Sequence, residues 1–193
     1  MSAGMKYDLK PMEVEKEALR FETVYRLSVT LGLEDDKLVV GSYLPLAAPI
    51  SVDFATCKVK AVKNVRVAEA LTATDTTLKI AKGSLAYVGM FLGDGSKGAT
   101  VSAIDKANAN YDVLTISALG ATASVGDVLF EASAAGGTTP KNKANFLNYA
   151  RVKVEAGATV TAIGQVFEIK ESKLSMPISE KDKASLGDRF LFV

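Results

Sequence analysis

The chain closes on Arg189-Phe190-Leu191-Phe192-Val193, four apolar residues in a row at its carboxyl end. Chain ends fray unless a sheet or an interface holds them, so such an ending constrains the fold more than any other feature here. Phe190, Leu191, Phe192 and Val193 are expected as a docked strand, packed in this chain's own core or against a neighbouring subunit. The residues before them fit that role. QVFEIK (165–170) reads as a strand, SKLSMPIS (172–179) as a proline-containing linker and EKDKASL (180–186) as a short helix. Ser179 suits the helix N-cap with Asp182 three residues on, and Gly187 suits the position after the helix that needs a left-handed backbone. An end of this kind belongs to an assembly component more than to a catalyst.

Period-two patterning dominates the rest. RFETVYRLSVTLG (20–32) alternates apolar and polar residues with β-branched residues among them, which predicts a strand preceded by a short helix or irregular arm over 12–19. Pro11 starts that arm extended. The run 37–54 is apolar but carries Gly41, Pro45 and Pro49; prolines at this spacing predict an edge strand or an extended crossing segment. TCKVKAVKNVRVAEAL then alternates, with Cys57, Val59 and Ala61 expected on a buried face and Lys58, Lys60 and Lys63 on the other.

Residues 72–135 form a compositional unit rich in Ala, Thr, Gly and Asp. It contains an internal echo in which Val88-Gly89-Met90-Phe91-Leu92 matches Val125-Gly126-Asp127-Val128-Leu129. Each half reads as strand, turn and strand, giving a small sheet or barrel of about five strands. Val101 to Ile104 is expected to pair with Val113 to Ile116 around the polar KANANYD turn. SAAGGTTPKNK (133–143) is a linker by composition. Beyond it, Val152 and Val154 are expected to pair with Val160 and Ala162 around Glu155-Ala156-Gly157-Ala158, and a third strand follows at 166–169. About eleven to thirteen short strands and one or two short helices make an all-β chain, long enough at 193 residues to bury about 70% of its unfolded surface.

Composition narrows the function. Lys and Arg number 23 against 22 Asp and Glu, so there is no basic excess to neutralise phosphates, and neither nucleic acid nor an anionic membrane is an expected partner. The charges interleave (EVEKEALR, EIKESK, SEKDK) as on a solvated face. No uncharged apolar run is long enough for a membrane-crossing helix, and the amino-terminal residues lack the apolar core of a signal peptide, so synthesis in a cytoplasm is expected. The single Cys57 excludes an internal disulfide.

The chain has no histidine, which removes Ser-His-Asp, Cys-His and histidine-rich zinc chemistry. Asp35-Asp36, the acidic pair that follows Glu34, reads as turn chemistry rather than a calcium site. GDGSKG (93–98) lacks phosphate-loop spacing and reads as a hairpin turn. Ser96-Lys97 and Ser172-Lys173 are adjacent and face opposite ways in strands, so neither is a dyad. Tyr87 and Tyr111, near turns, read as packing lids ahead of glycan contacts. No catalytic residue, metal ligand or cofactor is expected, and the chain is not expected to be an enzyme.

Two segments carry a resemblance. GATVTAIGQVFEIKESKLSMPISEKDKASLGDRFLFV, with Gly164-Gln165-Val166, Leu174, Pro177 and its aromatic-valine end, resembles the closing segment of bacteriophage head-decoration and head-fibre proteins. VVGSYLPLAAPISVDFATCKVKAV, with Gly41, Tyr43, Leu44 and Pro45, resembles their entry segment. The matches cover 36–64 and 144–193, and the part between resembles the small β module inserted in head-fibre proteins of phages and prophages of gut bacteria.

Residues 1–34 read as an amino-terminal arm and first strand, a departure from the shortest members of that family; the resemblance implies a two-part protein. It further implies a discontinuous, sandwich- or barrel-like base over 35–67 and 138–193, and a small barrel-like module inserted at 68–137. It implies a structural virion protein on the capsid surface, with the major capsid protein as partner and a homotrimer as its assembled form. Phe190, Leu191, Phe192, Val193, Leu44 and Pro45 would then lie at the interface. Recognition of glycan or a host surface through the inserted module is the alternative function.

Overall fold

The computed structural model describes residues 18–35 and 37–193. In chain order the strands are β1 (Tyr25–Arg26), β2 (Leu31–Leu33), β3 (Tyr43–Leu44), β4 (Pro49–Asp53) and β5 (Lys58–Ala61). Next come β6 (Asn64–Arg66), β7 (Thr77–Ala81), β8 (Phe91–Gly93), β9 (Gly98–Asp105), β10 (Tyr111–Ile116) and β11 (Val128–Glu131). Then follow β12 (Phe146–Asn148), β13 (Val152–Lys153), β14 (Thr159–Val160), β15 (Ala162–Ile169), the helix α1 (Glu180–Leu186) and β16 (Phe190–Phe192). The described residues are mostly β, with one short α-helix near the carboxyl end.

Eight strands build one curled sheet in the order β1-β15-β12-β4-β5-β2-β14, with β16 added to β15. Around β12 and the first half of β15 both faces of this sheet are covered. Neighbouring residues along one strand or its end enter different cores: Ala61, Phe146 and Ala162 pack on one side, Val62, Leu147 and Ile163 on the other. The Leu44 to Ile50 run leads from β3 through a turn into β4 and is apolar because its side chains enter both cores, Leu46 and Ala47 one and Leu44, Ala48 and Ile50 the other. Pro49 opens β4, which is central, between β12 and β5. The expectation of an edge position for this proline segment is therefore corrected. Proline is tolerated at the first residue of a strand, and the Pro49 carbonyl still accepts from Val62 N at 3.0 Å.

Six strands form the second sheet, β6-β11-β8-β9-β10-β7, around a third core that runs from Val65 to Leu129. The β9–β10 hairpin has the expected partners, with Leu114 opposite Ile104 and Ile116 opposite Val101. The internal echo is structural as well. Gly89 and Gly126 both adopt positive φ (88° and 96°), both follow exposed valines, and β8 and β11, the strands they introduce, pair with each other. In GDGSKG the Asp94 carboxylate accepts the Ser96 and Lys97 N–H groups, closing the β8–β9 turn.

Four other expectations are corrected. RFETVYRLSVTLG is not one strand: Phe21–Thr23 is a 3-10 turn, β1 has two residues, and residues 27–30 lie outside any strand. Alternation cannot separate a strand from a segment whose Phe21, Tyr25 and Val29 point to solvent. Only Ala18 and Leu19 of the expected 12–19 helix lie among the described residues, and Leu19 bridges Ile169 as extended chain. Residues 152–162 make no hairpin, because β13 pairs with β3 and β14 with β2.

Cys57 is exposed at the tip of the β4–β5 hairpin with φ 54°, not in the core. The turn there is set by Asp53, which accepts from Ala55 N and Thr56 Oγ1. Lys63 does not face solvent; it is among the largest fully buried side chains of the molecule.

Candidate functional site

β15 positions the surface features. Its far half is joined by β16 in parallel, Val166 opposite Phe190 and Ile169 opposite Phe192. Side chains opposite each other in a ladder share a face, so Val166 and Phe190 both enter the core. The next residues, Phe167 and Leu191, turn to the other face, where they are 70% and 48% exposed. Tyr25 of β1, opposite Gln165, joins them at 71% exposure. An outward cluster of large apolar side chains of this kind marks an interaction surface more often than a solvated one.

The six expected interface residues separate by environment. Phe190 packs inside the chain with Leu186 and Ile178, and Leu44 is fully buried in the core on the other side of the sheet. Leu191 and Val193 are exposed, and Phe192 is partly covered, with Lys183 Nζ 5.8 Å from its ring centre. Pro45 is half-buried, its carbonyl accepting from Asn148 Nδ2 at 2.8 Å. The terminus itself is held by backbone bonds: Val193 N donates to Ile169 O at 2.8 Å, and Glu171 N donates to Val193 O at 3.0 Å. Tyr25 and Phe167 escaped the sequence reading, although the alternation of Gln165-Val166-Phe167 already placed Phe167 opposite Val166.

A second group is internal. Where β5 ends and β6 begins, Lys63 turns inward, and its Nζ lies 2.6 Å from Asp35 Oδ2 and 3.6 Å from Glu131 Oε2. The side chains of Lys63, Asp35 and Glu131 are 1%, 4% and 3% exposed. Asp35 follows β2, Glu131 ends β11, and the cluster therefore ties the two large sheets together. Glu131 Oε1 accepts from Lys141 Nζ at 2.9 Å and from Tyr87 Oη.

Burial works to lower the Lys141 ammonium, but its bonds to Tyr87 and Glu131 outweigh that and hold it above its ordinary value. Burial, with the bond to Glu131, pushes the Tyr87 phenol up. The Tyr87 hydroxyl is thus engaged inside the protein, and Lys79 Nζ sits 5.2 Å from the Tyr111 ring centre. Strict parity along Val59, Ala61 and Lys63 was the available signal for the inward lysine; nothing local identified its partners.

No helix among the described residues is long and apolar enough to cross a membrane. Residues 1–192 match the family model described as head fiber protein, so the match spans nearly the full sequence. No curated protein and no solved structure matches the chain.

Proposed function

The chain belongs to the phage head fiber family, and on that premise we propose that it assembles as a homotrimer that decorates or projects from the capsid. As a head fiber protein it is a phage structural protein associated with the virion. In this reading the base, 35–67 with 138–193, docks on the major capsid protein and the 68–137 module points away from it. The observation that carries the self-association is the outward face of Tyr25, Phe167 and Leu191, which a single chain leaves in water. A closed symmetric assembly buries the same patch on every subunit and leaves none over, which suits a surface component that must not polymerise.

Light scattering on the purified protein tests the trimer, and co-sedimentation with capsids lacking the fibre tests the docking. The trimer mass, built from 20.3 kDa chains, and pelleting with capsids are the expected results. Phe167→Asp with Leu191→Asp is expected to return the monomer. A wild-type protein that stays monomeric at roughly tens of micromolar sinks the trimer. A wild type that fails to pellet with capsids sinks the docking.

A further inference from the structure

We propose that Lys63 and Asp35 are the two halves of an intramolecular amide cross-link, formed by condensation of their side chains with Glu131 as the proton carrier. The positions are those the reaction needs. Lys63 Nζ is in contact with the Asp35 carboxylate at 2.6 Å, so Asp35 Cγ lies one bond beyond the contact. Reacting atoms held this close have effective concentrations of about 10⁵–10⁸ M, and a buried site sheds the product water. Asp35 Oδ1 accepts the backbone N–H of Lys37 at 3.0 Å, which places a donor at the oxygen where negative charge grows during attack.

Glu131 is oriented for its role. Lys141 and Tyr87 hold Oε1, while Oε2 is buried, has no hydrogen-bond partner and points at Lys63 Nζ from 3.6 Å. That oxygen takes a proton from the Lys63 ammonium, freeing the nitrogen lone pair. The lone pair attacks Asp35 Cγ, a C–N bond forms, and the negative charge of the tetrahedral intermediate gathers on the carboxyl oxygens. Glu131 returns its proton to the departing oxygen, and the remaining proton lost by nitrogen completes the leaving water as the C–O bond breaks. Ammonium plus carboxylate becomes amide plus water, with no change of oxidation state and no co-reactant. Burial favours that direction, because two charges kept from solvent are replaced by a neutral group.

The cross-link would join the end of β2 to the β5–β6 junction, residues 28 apart in sequence. The intact mass of the denatured full-length protein, set against the Asp35→Ala variant, reads it directly. Beyond the substitution itself, the wild type is expected to be lighter by one water, about 18 Da, and its digest to contain one branched peptide joining Asp35 to Lys63. Asp35→Asn should lose ammonia instead, about 17 Da, and reach the same final mass as the wild type. Lys63→Arg and Glu131→Ala should keep their full masses. A folded wild type at its full sequence mass overturns the proposal, whatever the variants do.

Discussion

Asn64 Nδ2 donates to Asp182 Oδ2 at 2.7 Å, and both side chains are buried. Through this bond the first strand of the six-stranded sheet holds the cap of α1. The same amide donates to Pro177 O at 2.8 Å, and the same carboxylate accepts from Ser179 N and Oγ. The helix that precedes the terminal strand is therefore anchored to the sheet farthest from it in the chain.

Replacing Asp182 with alanine removes the reciprocal cap and leaves the Asn64 amide short of an acceptor. A lost cap is worth about 1 kcal/mol and an orphaned buried donor about 1–3 kcal/mol, so Asp182→Ala is expected to destabilise by about 2–4 kcal/mol. Urea unfolding measures it. A loss no larger than that of Ser179→Ala would mean that the Asn64 link contributes nothing.

The same carboxylate sets a pH dependence. Burial raises the Asp182 pKa above its ordinary 3.8, against the opposing hydrogen bonds from Ser179 and Asn64. The folded chain thus holds this proton more tightly than the unfolded one. The stability that Asp182 contributes is full below about pH 4 and falls as pH climbs through the unfolded and then the folded value. Asp182→Asn cannot ionise, so the stability difference, wild type minus variant, should decrease as pH rises above about 4. A difference that stays level or rises across this range contradicts the assignment.

Gly137 and Gly126 both have positive φ, 69° and 96°, but differ in surroundings. A Cβ on Gly126 meets open space, whereas one on Gly137 runs into the Lys97 carbonyl, where the 133–143 segment crosses the β8–β9 turn. Gly126→Ala is expected to cost about 1–2 kcal/mol from backbone strain alone. Gly137→Ala adds overpacking of about 1–3 kcal/mol. Equal melting points for the two variants would refute the close crossing.

Adjacent residues of β16 should behave oppositely. Phe190→Ala empties a core position and is expected to cost about 3–5 kcal/mol in unfolding. Leu191→Asp changes an exposed residue and should move monomer stability by no more than about 0.5 kcal/mol while weakening self-association in sedimentation velocity. If Leu191→Asp assembles like the wild type, the outward face of β15 and β16 is not the contact surface.

Local chemistry was readable wherever it closed on itself. The β9–β10 hairpin, the Ser179–Asp182 capping box and each Val-Gly turn of the echo, at Val88 and at Val125, all rest on residues within one short stretch of chain. Cys57 was misplaced because a period of two was carried one residue into a turn that Asp53 and Thr56 define. The 152–162 hairpin failed for a different reason: β3 and β2 compete for those strands from more than a hundred residues away.

By itself the sequence determined a mostly β chain with a docked carboxyl-terminal strand and no histidine chemistry, because alternation, capping residues and composition are properties of short stretches. Only the tertiary structure decided which side of each strand is covered. It put Phe190 inside and Leu191 outside, and it turned Lys63 from a solvated lysine into a buried partner of Asp35 and Glu131. Periodicity states that consecutive side chains point opposite ways; what waits on either side depends on strands far off in the chain, whose packing no local pattern contains.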